Sequence, residues 1–146
     1  MSMVASLFHI IIVTHRREKV LIEESRKELY YYIWGIIKKH NCKLIRMNGM
    51  EDHLHILLEL HPTVPLSDLV RDIKRSSSLW IKENKKIPLF KGWSEGYAAF
   101  ACSFEIKEKV KTYIINQQLH HMQETLENEY CRLAMKNGLT PYEKKE

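Results

Sequence analysis

The chain has 146 residues, of which 45% are hydrophobic and 28% charged, and its 23 Lys and Arg exceed its 18 Asp and Glu by a net charge of +5. This length predicts one domain over residues 1–146. A disordered chain is excluded by the low content of Gly and Pro, five and four residues. A membrane protein is excluded because the longest apolar run, Leu7 to Val13, is too short to span a bilayer. The modest positive charge permits a polyanionic partner without requiring one.

The hydrophobic pattern predicts seven elements in the order β-α-β-β-α-β-α. They are strands at 4–13, 42–49, 53–60 and 96–104 and helices at 21–40, 67–82 and 105–136. A turn at Asn48-Gly49 is expected to join the second and third strands as a hairpin, and Ser67 is expected to cap the second helix. The first six elements match the split βαβ, ferredoxin-like arrangement. We therefore expect an α+β fold with a four-stranded antiparallel sheet, two helices on one face and an added C-terminal helix.

Two histidines lie two residues apart on the third strand, in His53-Leu54-His55. Side chains alternate across a strand, so both imidazoles point to one face while Leu54 points to the other. Two imidazoles at this spacing can bind one divalent cation. The alternative is that they are two polar side chains on a half-exposed strand. Because the strand is otherwise apolar, burying two histidines there costs free energy unless they have partners, which favours a metal site.

The final helix carries Tyr113 and Gln117 one turn apart, and His120 continues the same row. A separate apolar stripe is predicted to anchor this helix, and it consists of Ile115, Leu119, Met122 and Leu126. A tyrosine is a usable nucleophile when it faces an activated electrophile, such as a phosphodiester polarised by a metal ion. The alternative is that the polar row only contacts solvent.

Residues 66–91 carry seven Lys and Arg and three acidic residues. The difference, +4, is most of the chain's net charge of +5. Arg71, Lys74 and Arg75 fall on one side of the predicted second helix. This pattern fits either a solvated helix face or a surface that contacts phosphates. Nearby aromatic residues that could stack on bases are Trp80, Phe90, Trp93 and Tyr97.

The remaining cysteines and histidines show no ligand spacing. Cys42, Cys102 and Cys131 are widely separated and form no CxxC pair, so neither a disulfide framework nor a zinc ribbon is expected. A reducing, cytoplasmic location fits these cysteines best. No role is assigned to the isolated histidines, which are His9, His15, His40 and His61.

Three segments together resemble the small single-tyrosine HUH transposases of insertion sequences and the related REP-associated tyrosine transposases. HUH stands for His-hydrophobic-His, which His53-Leu54-His55 satisfies. The segment 92–100, Gly-Trp-Ser-Glu-Gly-Tyr-Ala-Ala-Phe, is similar to the sequence that precedes the last strand in that family. The spacing of Tyr113 and Gln117 resembles the YxxxQ nucleophile helix of the family. The resemblance covers about residues 4–130.

The resemblance implies a metal-dependent DNA transposase. His53, His55 and Gln117 would hold Mg²⁺ or Mn²⁺. Tyr113 would attack a phosphodiester of single-stranded DNA and form a 5′-phosphotyrosine. Attack of a 3′-hydroxyl on this phosphotyrosine would then rejoin the strands. The ligand set is softer than the oxygen ligands that Mg²⁺ prefers, so weak, exchangeable binding is expected. The implied partners are hairpin-bearing single-stranded DNA and a second copy of the chain, with no small-molecule cofactor. Whether Tyr113 works with the histidines of its own subunit or of its partner stays open.

The competing hypothesis is a non-catalytic ferredoxin-like module that binds single-stranded nucleic acid. It is disfavoured because the strands lack the aromatic signature of RNA-recognition motifs. A zinc hydrolase is least favoured, since the sequence contains neither HExxH nor a CxxC pair.

Overall fold

The computed structural model describes residues 2–140. Its strands are β1 (Leu7–Val13), β2 (Lys43–Gly49), β3 (His53–Glu59) and β4 (Ala98–Cys102), and its helices are α1 (Glu23–Lys39), α2 (Leu66–Asn84), α3 (Lys107–Ile115), α4 (Gln117–His120) and α5 (Leu126–Lys136). The chain divides into two compact units, Met1–Ile115 and Asn116–Glu146. The first unit contains the whole sheet with α1, α2 and α3, and the second contains α4 and α5.

The four strands form one sheet in the order β2-β3-β1-β4, with every neighbouring pair antiparallel. This confirms the predicted α+β class and its four-stranded antiparallel sheet. The sheet interior belongs to β1 and β3, which explains why six consecutive residues of β3, from His53 to Leu58, are buried. No helix among the described residues is long and apolar enough to cross a membrane.

One face of the sheet packs against α1 and α2 to form the hydrophobic core. Ile10 and Ile12 of β1 join Leu54, Ile56 and Leu58 of β3 in this core. The helices contribute buried side chains that include Leu29, Ile33, Ile37, Leu69 and Ile73. Because strand side chains alternate, the neighbouring residues of β1 and β3 point to the opposite face. That opposite face carries His9, His53 and His55 and is called the histidine face below.

The β2–β3 hairpin turns later than the sequence predicts. Gly49 is the last residue of β2, and the hairpin closes through a hydrogen bond from Met50 N to His53 O of 2.9 Å. A Cβ atom on Gly49 would lie 2.4 Å from Leu54 Cδ2 and 2.8 Å from His53 O. The predicted turn at Asn48-Gly49 is therefore wrong, because this glycine is required by close packing within the hairpin.

The second helix begins one residue earlier than predicted, and Ser67 is not its cap. Pro65 occupies the N-cap position, with φ −66° and ψ 134°, and no side chain caps this end of α2. The backbone N–H groups of Asp68 and Leu69 both donate to Pro65 O. Proline fixes φ near the value needed to enter a helix, so the backbone alone sets the start of α2.

The predicted long final helix is wrong, because three helices occupy that stretch. Asn116 leaves the helical conformation, with φ −92° and ψ 20°. The carbonyls of Ile114 and Ile115 accept hydrogen bonds from Asn48 Nδ2 at 2.9 and 3.2 Å. Since the last carbonyls of a helix have no partner within it, this β2 side chain stabilises the end of α3. At α5 a local cap acts instead, as Thr125 Oγ1 accepts from Asn128 N.

The break also disrupts the predicted apolar stripe. Ile115, Leu119 and Met122 are 40%, 62% and 81% exposed, whereas Leu126 is buried. These four side chains share one face only if the helix is continuous. The stripe therefore does not anchor this part of the chain as predicted, and Ile114 is the buried residue of α3.

Candidate active site on the histidine face

His53 and His55 lie on the same face of β3, as the alternation of side chains predicts. Both are fully buried, and their ring centroids are 5.0 Å apart with the planes inclined by 72°. Leu54 between them enters the core on the other face. The strand thus presents two imidazoles side by side, and the residues from Leu54 to Leu58 are otherwise apolar.

A third histidine joins this pair from the adjacent strand. His9 on β1 pairs with Leu57 in the register, which places it diagonally across from His55. Its Nε2 lies 2.7 Å from His55 Nδ1, and the two rings stack with centroids 5.0 Å apart. No role was predicted for His9 from the sequence. The signal that could have identified it is that His9 is a single polar residue in an apolar strand.

A carboxylate holds the remaining histidine. Asp52, the residue directly before β3, places its Oδ1 2.6 Å from His53 Nδ1. The Nδ1 atoms of His53 and His55 are therefore both engaged by protein neighbours. The Nε2 atoms are the ring nitrogens that would coordinate a metal ion. Contacts of this kind, from a carboxylate or another acceptor to the second ring nitrogen, are usual for metal-binding histidines.

Tyr113 stands over the same histidine face. Its ring centroid lies 6.0 Å from that of His55 and 6.2 Å from that of His9, with both pairs edge-to-face. The helix that carries it is held by the buried Ile114 and by Asn48, which pairs with His55 across the sheet. The structure therefore brings the predicted nucleophile to the predicted histidines within the first unit.

Gln117 belongs to the second unit, where it begins α4 rather than continuing the helix of Tyr113. Its Nε2 donates to Glu129 Oε2 at 3.2 Å, and both residues are fully buried. The other carboxylate oxygen of Glu129 lies 3.2 Å from His121 Nε2. Neither Glu129 nor His121 was singled out from the sequence, because a turn and the start of another helix separate Glu129 from Gln117.

Each unit contributes side chains whose donor atoms suit a divalent metal. They are His53 and His55 in the first unit and, considered separately, His121 and Glu129 in the second. Within the described part of the chain, Gln117 Oε1 is buried and accepts no hydrogen bond. A buried carbonyl oxygen of this kind is normally satisfied, so a cation is a suitable partner for it. Imidazole and amide donors together suit Mn²⁺ better than Mg²⁺.

The basic side chains of α2 divide into two groups. Arg71 and Arg75 are exposed, and Arg71 lies 3.5 Å from Asp68. Lys74 is half-buried, and its Nζ donates to Ser94 O and Gly96 O at 2.6 and 2.9 Å. Burial lowers the pKa of this ammonium. The two hydrogen bonds of the ammonium hold the 94–96 loop against α2. Because α2 packs on the core face, these residues lie across the sheet from Tyr113.

The aromatic residues near α2 are mostly part of the core rather than exposed. Trp80 stacks on Tyr32 with centroids 4.9 Å apart, and Phe90 is buried against Trp93. The indole of Trp93 also donates to a serine of α2. Tyr97, at 38% exposure, is the one of the four predicted stacking groups that is exposed.

A tyrosine held over two histidines on a four-stranded antiparallel sheet is the arrangement expected of an HUH-type tyrosine transposase. The family described as IS200-like transposase matches residues 2–117 of this chain. The protein therefore belongs to the IS200-like transposase family, as its sequence motifs predicted.

Individual relatives agree with this assignment. The ISDra2 transposase TnpA of Deinococcus radiodurans is 26% identical over 115 residues, a match that covers 75% of this chain and 82% of that protein. A crystal structure from Deinococcus radiodurans R1, described as a candidate transposase, has a TM-score of 0.63 at 25% identity and covers 80% of this chain and 93% of that one. A REP-associated tyrosine transposase bound to a REP hairpin also has a TM-score of 0.63, covering 99% and 93%. At 15% identity, that last likeness shows the fold alone.

Proposed function

We propose that this transposase cleaves and rejoins single-stranded DNA through a 5′-phosphotyrosine on Tyr113. His53 and His55, with Gln117 as the third ligand that the family resemblance implies, would hold Mg²⁺ or Mn²⁺. The position of Tyr113, 6.0 Å from His55 between ring centroids on the histidine face, carries the proposal. When bound, the metal would polarise the scissile phosphate and neutralise part of its charge.

The chain itself supplies the nucleophile and its orientation. Tyr113 Oη forms a bond to phosphorus, the phenol proton is released, and the bond from phosphorus to the 3′ oxygen breaks. That oxygen takes up a proton and leaves as a 3′-hydroxyl. Attack of a 3′-hydroxyl on the phosphotyrosine reverses the same steps and joins strands without ATP. In-line transfer of this kind depends on positioning and on charge neutralisation. The support of α3 would supply the positioning.

The proposed substrate is single-stranded DNA with hairpins. The REP-associated relative bound to a REP hairpin supports it, as do the exposed Arg71 and Arg75 on α2. Lys74 holds the 94–96 loop. It would therefore affect DNA binding through that loop. Because α2 and Tyr113 lie on opposite faces of the sheet, DNA that contacts both must pass around a sheet edge.

We further propose a homodimer acting in the cytoplasm, where its DNA substrate is found. Large exposed apolar side chains in the second unit support an association surface, and they are Leu119, Met122, Met135 and Leu139. Each subunit would carry its own histidine pair and its own tyrosine.

The test is covalent capture of DNA. The purified protein is incubated with Mg²⁺ or Mn²⁺ and a 3′-labelled single-stranded oligonucleotide that carries the palindromes flanking its gene. A slow-migrating labelled species on a denaturing gel is the expected adduct. Tyr113→Phe removes the nucleophilic oxygen and should abolish the adduct, with DNA binding retained. Tyr31→Phe, a change at an exposed tyrosine of α1, is the matched control and should leave the adduct intact.

Two outcomes would contradict the proposal. An adduct that persists in Tyr113→Phe would show that another residue is the nucleophile. DNA binding that is insensitive to EDTA, with no adduct under any condition, would instead identify a non-catalytic binding module.

A further inference from the structure

Each proposed metal ligand is held at its other polar atom by a neighbouring side chain, of which His9 and Glu129 are buried and Asp52 is partly buried. We propose that Asp52, His9 and Glu129 are positioning residues that fix which atom of His53, His55 and Gln117, respectively, is presented for metal binding. The inference rests on the ligand set of the proposed function. It assigns roles to three side chains that do not themselves need to touch the metal.

The contact between His9 and His55 determines a tautomer. A neutral imidazole that binds a metal through Nε2 carries its proton on Nδ1. His55 Nδ1 must then donate to His9 Nε2, 2.7 Å away, so His9 carries its own proton on Nδ1. His9 is thus the acceptor that keeps Nε2 of His55 deprotonated.

Asp52 does the same for His53, more strongly. Its Oδ1 lies 2.6 Å from His53 Nδ1, close enough for a charge-assisted hydrogen bond. The carboxylate accepts a hydrogen bond from Nδ1–H, so the lone pair for metal binding lies on Nε2. Two neighbouring ligands on one strand therefore have the same tautomer, each fixed by a different acceptor.

Glu129 fixes an amide rather than an imidazole. The amide of Gln117 could present either its oxygen or its nitrogen, and only the oxygen binds a cation. Glu129 Oε2 accepts from Gln117 Nε2 at 3.2 Å, so the amide nitrogen is turned towards the carboxylate and Oε1 away from it. His121 Nε2 lies 3.2 Å from the other oxygen of Glu129, a second contact that restrains the carboxylate.

Burial argues that these neighbours are not incidental. His9 is 4% exposed and Glu129 is fully buried, so each loses hydration that an apolar residue would not lose. A buried polar network whose groups are hydrogen-bonded rigidifies the side chains that take part in it. Here each of the two side chains contacts a proposed ligand.

The test measures binding of Mn²⁺ alone to the full-length protein, from the free-ion signal in electron paramagnetic resonance. His9→Phe keeps a ring but removes the acceptor, and we expect affinity to fall about 10- to 100-fold. His9→Gln restores an acceptor near the Nε2 position and should recover most of the loss. In His9→Asn the new side chain is too short to reach His55, so its Mn²⁺ affinity should match that of His9→Phe. This variant replaces His9→Phe in the test if the phenylalanine variant does not fold. His61→Phe, a histidine lost outside the site, is the matched control.

The other two neighbours are tested in the same way. Asp52→Leu and Glu129→Gln should each weaken Mn²⁺ binding about 10- to 100-fold. In Glu129→Gln one carboxylate oxygen becomes an amide nitrogen, which cannot accept from both Gln117 and His121. Asp52→Asn keeps an oxygen acceptor for His53 and should retain most of the affinity.

Imidazole nitrogen NMR gives a second measurement, independent of activity. Long-range ¹H–¹⁵N spectra should show His55 of the metal-free wild type as the Nδ1–H tautomer, and His9→Phe should lose this preference. A wild-type His55 in the Nε2–H form, or Mn²⁺ affinities unchanged in His9→Phe, Asp52→Leu and Glu129→Gln, would overturn the inference.

These results separate the inference from the proposed function. If wild-type protein binds Mn²⁺ with the expected dependence on His9 and Glu129 but forms no DNA adduct, the proposed chemistry fails and the positioning roles stand. If the adduct forms while the variants bind Mn²⁺ normally, only the positioning roles fail.

Discussion

Asn48 connects the histidine face to the helix of the nucleophile through one side chain. It pairs with His55 in the sheet and donates to the carbonyls of Ile114 and Ile115, directly after Tyr113. We expect Asn48→Ala to lower the free energy of unfolding by about 1–2 kcal/mol, because two carbonyls lose a donor. Adduct formation should slow as well, since α3 would be less firmly held. Urea unfolding and the rate of adduct formation measure the two effects.

Asn128→Ala is the matched control for this prediction, because the Asn128 side chain is exposed and belongs to the second unit. It should change neither the adduct rate nor the stability appreciably. If Asn48→Ala loses stability but cleaves DNA at the wild-type rate, the residue supports the fold without orienting Tyr113.

The sequence revealed individual site residues only where a local pattern marked them. His53 and His55 were found because two polar residues alternate within an apolar strand, a spacing that sheet geometry makes meaningful. His9 has no such partner along β1, and its contact with His55 depends on the register between strands 46 positions apart. Glu129 was missed for the same reason, since its contact with Gln117 crosses a turn between two helices.

Within the β2–β3 hairpin, packing rather than turn geometry requires glycine at position 49. Gly49→Ala should destabilise the protein by about 1–3 kcal/mol, because the new Cβ would press on backbone as well as on a side chain. Gly35 on α1 is the matched control, since a Cβ there meets nothing within 4 Å. Gly35→Ala should stabilise by about 0.5–1 kcal/mol through helix propensity. Thermal melting of both variants checks the opposite signs, and a neutral Gly49→Ala would contradict the packing argument.

A pH-dependent contact links the end of α1 to α2. Hydrogen bonds from Ser76 and then His40 lower the pKa of Asp72 below its ordinary 3.8. A carboxylate with a lowered folded-state pKa stabilises the fold above its unfolded pKa, and this contribution is lost as pH falls through the folded value. Urea unfolding from pH 7 to pH 3 should therefore show the stability difference between wild type and Asp72→Asn shrinking at the acid end. The difference stays small, because the pair is partly exposed.

Glu105→Gln, which removes an exposed carboxylate outside α2, controls for the loss of one negative charge. A stability difference between wild type and Asp72→Asn that does not vary with pH would show that the hydrogen bonds do not depend on the ionised form of Asp72.

Elements were predictable where their own periodicity defined them and failed where distant residues ended them. The strands and α1 follow alternating or helical patterns and lie within a few residues of their predicted bounds. The stretch from Glu105 to Lys136 also has a helical composition, yet it breaks at Asn116. The donor that ends α3 there is Asn48, 66 residues from Ile114 along the chain. No local pattern signals such a contact.

At the scale of the molecule, the order and type of elements were enough to predict the fold class. A β-α-β-β-α-β order leaves few antiparallel arrangements in which both helices cover one face. It did not indicate the division at residue 116 that separates Tyr113 from Gln117 in the sequence. The single-domain expectation for residues 1–146 and the roles of the predicted ligands remain predictions. The DNA-adduct and Mn²⁺ experiments address the site residues.

The charge of the whole molecule also separates background attraction from specific DNA contact. With a net charge of +5, the protein attracts DNA through its general field, and each phosphate contact adds to the salt dependence of binding. The double variant Arg71→Gln, Arg75→Gln should lower affinity for a labelled single-stranded oligonucleotide. It should also reduce the slope of log affinity against log salt by about 1–2, as measured by fluorescence anisotropy.

A second double variant distinguishes local contact from total charge. Lys43→Gln with Lys136→Gln removes the same two charges from exposed positions on β2 and α5. Its salt slope should match the wild type if DNA phosphates contact α2. Equal slopes for the two double variants would mean that DNA responds only to net charge, and α2 would then be a solvated helix face. A reduced slope for the α2 variant alone would identify α2 as a DNA surface on the far side of the sheet from Tyr113, so that the substrate must pass around a sheet edge to be cleaved.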